Sequence, residues 1–240
     1  MPDTDLRRIV AILLTALGVL AVIATTSLVG GVPVPFMTRD IAALGHLHPL
    51  AGVLSNLGIL LWAATAAICL FVAVTERGRL SAPVVRCLLF AGLLSAWLTL
   101  DDCFQIHEDL SPRYLHVRER YVYLSLALAV VVHLWTSRAV ILRSRWSLLA
   151  LAFVFLGTSA MLDALLLGWA QQIGDWEFFY EDGSKWLGIV CWNAYHVQAC
   201  SQRMALDQAV RTAAPVSHLA WLLPGPQAAR GGDLPVAGRR

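Results

Sequence analysis

Six long apolar runs are the feature that most limits what this chain can fold into. They span Ile9–Val29, Leu50–Val74, Val85–Phe104, Tyr121–Leu142, Trp146–Trp169 and Glu181–Cys200. Each is close to the ~20 residues that an α-helix needs to cross ~30 Å of hydrocarbon. The sequence therefore predicts an all-α fold, a polytopic membrane helix bundle with six transmembrane helices.

The composition supports a membrane protein and argues against nucleic-acid binding. The chain is 58% hydrophobic and 14% charged, whereas a soluble domain is about 45–50% apolar and about 25% charged. The net charge is only +2, and the sequence contains no basic cluster with interleaved aromatic residues. The partners that we expect are the lipid bilayer and a lipid-like substrate, with a homodimer as a further option and no nucleic acid.

The cysteine pattern gives no sign of a metal-binding or redox motif. The five cysteines lie in or beside the apolar runs and include no CxxC pair: Cys69, Cys87, Cys103, Cys191 and Cys200. Cysteines in such surroundings usually behave as small buried hydrophobic residues. We therefore predict buried thiols without a chemical role.

The distribution of arginine and lysine predicts the orientation, because the flanks rich in these residues face the cytoplasm. One set of flanks holds thirteen of them, and the other holds five: Arg39, Arg113, Arg118, Arg120 and Lys185. Both termini are therefore expected to be cytoplasmic, in a multi-pass protein of the cell membrane. The first run is longer than the roughly 7–15 apolar residues of a signal peptide, which indicates an uncleaved first helix.

This orientation gives three segments. Residues 1–8 form a cytoplasmic N-terminal tail, residues 9–204 the six-helix transmembrane domain, and residues 205–240 a cytoplasmic C-terminal tail. The last segment is rich in Pro, Gly and Ala, a composition that predicts mobility.

Acidic residues collect at the outer end of the third run, in the stretch LTLDDCFQIHEDLSP (residues 98–112). If the third helix continues to Ser111, one face with an arc of about 120° carries five polar side chains. These are Asp101, Asp102, Gln105, Glu108 and Asp109. His107 then points elsewhere, unless the helix ends early. Two interpretations stay open: a solvated helix end, or carboxylates below the membrane surface, which usually face protein or a water-filled cavity and are often functional.

Asp163 and Lys185 are two further charged residues that lie within the apolar runs. Asp163 lies about six residues, or ~9 Å, inside the outer end of the fifth run, and a buried acid needs a partner or a raised pKa. Lys185 follows Glu181 at i,i+4, which suits a local salt bridge. The alternative is that Lys185 neutralises the acids of the third and fifth helices.

Three functions remain open on this evidence. In the first, a metal-dependent membrane hydrolase acts on a lipid or lipid-linked substrate through six catalytic candidates: Asp101, Asp102, His107, Glu108, Asp163 and Lys185. A divalent metal would be held by Asp101, His107, Glu108 and Asp163 and would activate water, although the chain contains neither HExxH nor HxxxH. The second function is a proton- or ion-coupled small transporter. The third is a non-catalytic membrane protein whose polar cluster fixes helix packing.

Two smaller patterns complete the sequence evidence. In the first loop, Thr38 is predicted to cap a short interfacial helix that ends at Gly45. In addition, LGILLWAA (57–64) and LGIVCWNA (187–194) match at Leu, Gly, Ile, Trp and the final Ala, which allows either an internal repeat or chance similarity between apolar helices.

Overall fold

The computed structural model describes residues 2–39, 41–165 and 176–213, without the side chains of residues 2–5, 8, 163–165, 177 and 206–213. The helices are α1 (Pro2–Gly30), α2 (Val34–Thr38), α3 (Ile41–Gly45), α4 (Val53–Thr75), α5 (Ala82–Phe104), a π-helical turn (Ile106–Leu110), α6 (Ser111–Tyr114), α7 (Glu119–Ile141), α8 (Ser147–Leu165) and α9 (Trp176–Ala213). No strand occurs in these ranges. The predicted all-α fold is confirmed.

Four helices of the described chain are long and apolar enough to cross a membrane, and they coincide with the first four predicted spans. They are Ile9–Gly30, Val53–Thr75, Ala82–Phe104 and Glu119–Ile141. The fifth predicted span corresponds to α8, whose apolar part, Ser147–Leu162, is shorter, and its predicted end at Trp169 lies outside the described residues. The sixth lies within α9. The six-span count and the cytoplasmic termini therefore stay predictions.

The chain divides into two compact units, residues 1–57 and residues 58–240. In the first unit, none of the membrane-length part of α1 is buried. Gly45 ends α3 as predicted, but the proposed cap at Thr38 is wrong. Thr38 is the last residue of α2, and its hydroxyl donates back to the carbonyl of Val34 at 3.0 Å.

The second unit is built around two apolar clusters. One has tryptophans from α4 and α9 at its centre: Trp62, Leu94, Ile141, Leu149, Ala152, Ile189, Trp192 and Tyr195. The other comprises Cys69, Val72, Ala73, Val85, Leu88, Ala91 and Cys200. Three of the cysteines are buried as predicted, but Cys103 is exposed and Cys191 is half-buried. All five are free thiols.

Glycines allow the helices of this unit to approach closely. A Cβ on Gly188 of α9 would lie 2.6 Å from Leu156 Cγ of α8 and 3.0 Å from its backbone nitrogen. The two matching segments of the sequence also lie side by side, since a Cβ on Gly58 would meet Ile189 Cδ1 at 3.1 Å. Their tryptophans, Trp62 and Trp192, pack edge to face with ring centroids 5.9 Å apart. These contacts fix α9 against both α8 and α4.

Candidate functional site

The C-terminal end of α5 is where the structure departs most from the sequence prediction. The helix ends at Phe104 and does not continue to Ser111, because Gln105 adopts the left-handed conformation with φ 48° and ψ 47°. In a continuous α-helix, the His107 N–H would bond the carbonyl of Cys103. Here that N–H donates to the side chain of Asp101, which offers the backbone an alternative partner. The chain then forms the π-helical turn from Ile106 to Leu110.

This early end turns His107 onto Asp101. The His107 N–H lies 3.0 Å from Asp101 Oδ1, and the ring nitrogen Nδ1 lies 2.6 Å from Oδ2. The side chains are 7% and 4% exposed, respectively. A carboxylate can only accept hydrogen bonds, so Nδ1 carries the proton and Nε2 is the nitrogen left for other chemistry. The predicted single acidic face is therefore wrong for Asp101, whose side chain contacts His107 in the turn that follows α5.

The surroundings of His107 favour its protonated form. The hydrogen bond to Asp101 raises the pKa of His107 above the ordinary 6.5, although burial opposes this, and the charges of Asp101 and Glu108 add to the rise. Nε2 lies 3.4 Å from Glu108 Oε1, whose side chain is 52% exposed. The ring also packs against the Tyr123 ring of α7, with centroids 4.8 Å apart. His107 thus joins a buried carboxylate to one at the surface.

The neighbouring carboxylate, Asp102, belongs to a different arrangement. Lys185 Nζ of α9 donates to Asp102 Oδ1 at 2.9 Å, and Trp62 Nε1 of α4 donates to Oδ2 at 3.2 Å. Asp102 is 8% exposed and Lys185 is 37% exposed. The pair therefore joins three helices, and it matches the interpretation of Lys185 as the counter-charge of an acid on the third helix.

The other two acids of the predicted face, Glu108 and Asp109, lie at the protein surface. Asp109 Oδ1 forms an ion pair with Arg113 Nη2 at 3.2 Å, with both side chains about half exposed or more. Gln105 Nε2 donates to Glu108 Oε2 at 3.4 Å. These residues fit the interpretation of a solvated helix end, while Asp101 and Asp102 fit that of buried carboxylates.

The structure brings five of the six catalytic candidates into two groups: Asp101, His107 and Glu108, and Asp102 with Lys185. The side chain of Asp163 lies outside those described. Among the described side chains, no group of three or more His, Cys, Asp or Glu is arranged to hold a metal ion. The four-residue metal site, which includes Asp163, stays a prediction.

Sequence reasoning missed several polar contacts that support this region. Trp62 and Tyr123 were not assigned to the site, although each contacts it directly. Below them, Trp192 Nε1 donates to the fully buried Ser95 at 3.0 Å, and Asn193 donates to Thr65 at 3.0 Å. The one signal available was the match between the segments that hold Trp62 and Trp192.

The chain belongs to the family described as Domain of unknown function (DUF8692), whose sequence model matches residues 9–199. The match covers most of the chain and includes every candidate site residue. No curated protein and no solved structure matches it.

Proposed function

We propose that this member of the DUF8692 family is a multi-pass cell-membrane enzyme that hydrolyses a lipid or lipid-linked substrate at the outer face of the membrane. The observation that carries the proposal is the buried contact between Asp101 and His107, at 2.6 Å. A histidine whose Nδ1 is held by a carboxylate has its tautomer and orientation fixed, as required of a general acid–base. Buried acids at the end of a span are also costly, and such residues are often functional.

In this mechanism Nε2 of His107 exchanges the proton. In the neutral form of the ring, which carries its single proton on Nδ1, Nε2 first removes a proton from water attacking the substrate carbonyl, and it then returns that proton to the leaving group. Asp101 stabilises the imidazolium that forms in between. Glu108 is exposed enough to move from Nε2, 3.4 Å away, when the reacting group takes its place.

The location of the substrate follows from the proposed orientation. With six spans and cytoplasmic termini, the end of α5 faces outward, at the depth of the lipid headgroups. A water-soluble substrate is less suited to this position than a lipid, because the helices on both sides of the site are apolar enough to lie in hydrocarbon. The site residues are contributed by α5, the following turn and α9.

A divalent metal is compatible with only part of the predicted ligand set. Both oxygens of Asp101 are engaged by His107, so Asp101 suits the role of the outer carboxylate that orients a metal-binding histidine. His107 Nε2, Glu108 and Asp163 would then be the ligands, and the metal would supply the activation of water in place of proton transfer to Nε2. Elemental analysis of the purified protein and of His107→Asn tests this, since a bound metal should be lost in the variant.

The test of the enzyme proposal compares one substitution at two histidines. Protein in nanodiscs is incubated with a panel of ester- and amide-linked lipids, and the products are identified by mass spectrometry. His107→Asn should lower turnover by about 10²–10⁴-fold, the usual contribution of general acid–base catalysis. His116→Asn is the matched control, because His116 is exposed and Asn tolerates its positive φ of 55°. Equal turnover in both variants would contradict the proposal.

The buried pair of Asp102 and Lys185 favours a second candidate, a proton- or ion-coupled transporter. Charged pairs between membrane helices often lie on ion and proton pathways. In proteoliposomes with an imposed pH gradient, this candidate predicts proton flux that Asp102→Asn abolishes and Asp109→Asn leaves unchanged. Flux that is equal in both variants would exclude a transport role for the pair.

A further inference from the structure

An apolar groove lies between α5 and α7, in the second unit. It has a volume of about 340 Å³ and is lined by Phe90, Leu93, Leu94, Trp97, Ser125, Leu126 and Ala129. This volume falls within the range of about 300–1,000 Å³ that is typical of small-molecule sites. The Ser125 hydroxyl is used within the helix, donating to the Val122 carbonyl at 2.7 Å, and the other polar group of the lining is the indole N–H of Trp97, a donor only. The groove therefore has space and apolar surface, but no charged group of its own for a headgroup.

The polar groups lie directly beyond its outer end, on both walls. On α5, Trp97 precedes Asp101 by four residues, so the two share one face of the helix, one turn apart. On α7, Leu126 follows Tyr123 by three residues, and the Tyr123 ring contacts His107. Both walls of the groove thus continue into the site formed by Asp101 and His107.

The helices that form the groove indicate what fills it. Both α5 and α7 are among the helices apolar enough to span a membrane. At the rim, Leu93 is 62% exposed and Trp97 is 43% exposed, so the groove opens at the side of the helix pair. In a bilayer this side is reached by hydrocarbon chains, and a chain that fills the groove makes dispersion contacts with its apolar lining.

The charges at the site select the headgroup. Asp102 is paired with Lys185 and Asp109 with Arg113. Glu108 lies 3.4 Å from His107 Nε2 and 3.4 Å from the Gln105 amide nitrogen. Even when His107 is counted as a cation with Lys185 and Arg113, the four carboxylates outnumber the cationic side chains, so the site favours a headgroup that carries an amine over one that is only anionic.

We propose that the groove between α5 and α7 holds the hydrocarbon chain of a lipid that carries an amino group in its headgroup, with the amine beside Glu108. This inference rests on the proposed function, because it names the substrate class of the same site. The chain of the lipid lies along Phe90, Leu94 and Trp97, and the bond to be cleaved lies at His107.

The experiment uses photoactivatable lipids and the full-length protein. Phosphatidylethanolamine and phosphatidylglycerol, each with a diazirine in the same acyl chain, are incorporated into vesicles with the protein and irradiated. Trypsin releases the α5 wall within residues 87–113 and the α7 wall within residues 121–138, so labelling is assigned by mass spectrometry. Both peptides should be labelled, and the amine-bearing lipid should label them more strongly.

Two substitutions on one helix provide the matched comparison. Ala129→Trp fills the groove and should lower labelling about tenfold, equivalent to about 1.4 kcal/mol of binding. Ala127→Trp adds the same side chain at an exposed position of α7 and should leave labelling unchanged. Leu93→Trp obstructs the groove from its exposed rim, and it replaces Ala129→Trp if the latter fails to fold in thermal unfolding.

The results separate this inference from the proposed function. Equal labelling by the two lipids, or labelling unaffected by both groove substitutions, overturns the inference, even if His107→Asn abolishes hydrolysis. A photoreactive amino acid at Leu93 that captures residues 9–30 or a second copy of the chain, and no lipid, also overturns it. Groove labelling together with unchanged turnover in His107→Asn means that the lipid site stands and the catalytic proposal fails.

Discussion

Two adjacent carboxylates, Asp101 and Asp102, form ion pairs of different kinds. Asp101 pairs with His107, six residues along the chain, at 2.6 Å. Asp102 pairs with Lys185, 83 residues away, at 2.9 Å. The first pair lies between the end of α5 and the turn that follows it, and the second pair joins α5 to α9. Of two neighbouring residues on one helix, Asp101 thus stabilises the local turn after α5, and Asp102 stabilises the packing of α5 against α9.

The difference also concerns when each pair is charged. A histidine gains or loses its charge near neutral pH, whereas a lysine and an aspartate keep theirs. The Asp101 pair therefore responds to pH, and the Asp102 pair holds the helices whatever the state of the first. Four predictions test this division, from the largest effect to the smallest.

Removal of Asp102 should have the largest effect on stability. Asp102→Ala leaves Lys185 and Trp62 Nε1 without their acceptor, and breaking a buried pair costs about 3–5 kcal/mol. We expect about 3 kcal/mol, the lower end of this range, because Lys185 is 37% exposed. Thermal unfolding in detergent measures it. The double variant Asp102→Leu, Lys185→Met should recover most of the loss, and a loss as large as that of Asp102→Ala would show that the pair does more than hold α5 to α9.

Gly188 allows α9 to pack closely against α8. Gly188→Ala places a Cβ 2.6 Å from Leu156 Cγ, and such overpacking costs about 1–3 kcal/mol. Gly183→Ala on the same helix meets nothing within 4 Å and should stabilise the protein by about 0.5–1 kcal/mol, since Ala is the better helix former. Unfolding measurements that give the same sign for both variants would refute the role of this close approach.

The stability of the Asp101 pair should depend on pH. The pKa of His107 is raised in the folded state, so its contribution is complete below the unfolded pKa of about 6.5 and is lost as pH rises through the folded pKa. Each unit of pKa difference is worth about 1.4 kcal/mol. The unfolding temperature, measured from about pH 5 to 9, should therefore decrease as the pH rises through the folded pKa. The fall should be absent in His107→Asn and present in His116→Asn, and a fall of equal size in both variants would assign it to other groups.

The exposed pair of Asp109 and Arg113 should matter least. Both side chains are about half exposed or more, and surface ion pairs contribute about 0–1 kcal/mol. Arg113→Ala should therefore change the free energy of unfolding by less than about 1 kcal/mol, and salt should abolish the difference. A loss of unfolding free energy as large as that of Asp102→Ala would mean that burial does not decide how much an ion pair contributes to stability.

Hydropathy was sufficient to predict the helical fold. Four of the predicted spans agree with membrane-length helices to within a few residues, because a run of about 20 apolar residues has few other ways to fold. The described part of the fifth predicted span lies mostly in α8, and the sixth lies in α9. The polar stretch at the end of α5 was recognised from its charges alone.

The pairing within the site was not predictable from periodicity. A continuous helix would place His107 about 120° away from Asp101 around the helix axis, and the two meet only because Gln105 breaks the helix. The contact between Asp102 and Lys185 spans 83 residues and leaves no local signal. It depends on how α4, α5 and α9 pack, which in turn depends on the glycine and tryptophan contacts of α9.

The left-handed conformation of Gln105 has a consequence for how this site would persist through evolution. A positive φ is tolerated by Gly and, among other residues, best by Asn, Asp and His, and is strained for β-branched side chains. The backbone therefore limits which residues suit position 105, whereas positions 101 and 107 are limited by their hydrogen bonds to each other. Family members that keep the site should carry Gln or one of these permissive residues at 105, and a Val or Ile there should accompany loss of the aspartate or histidine.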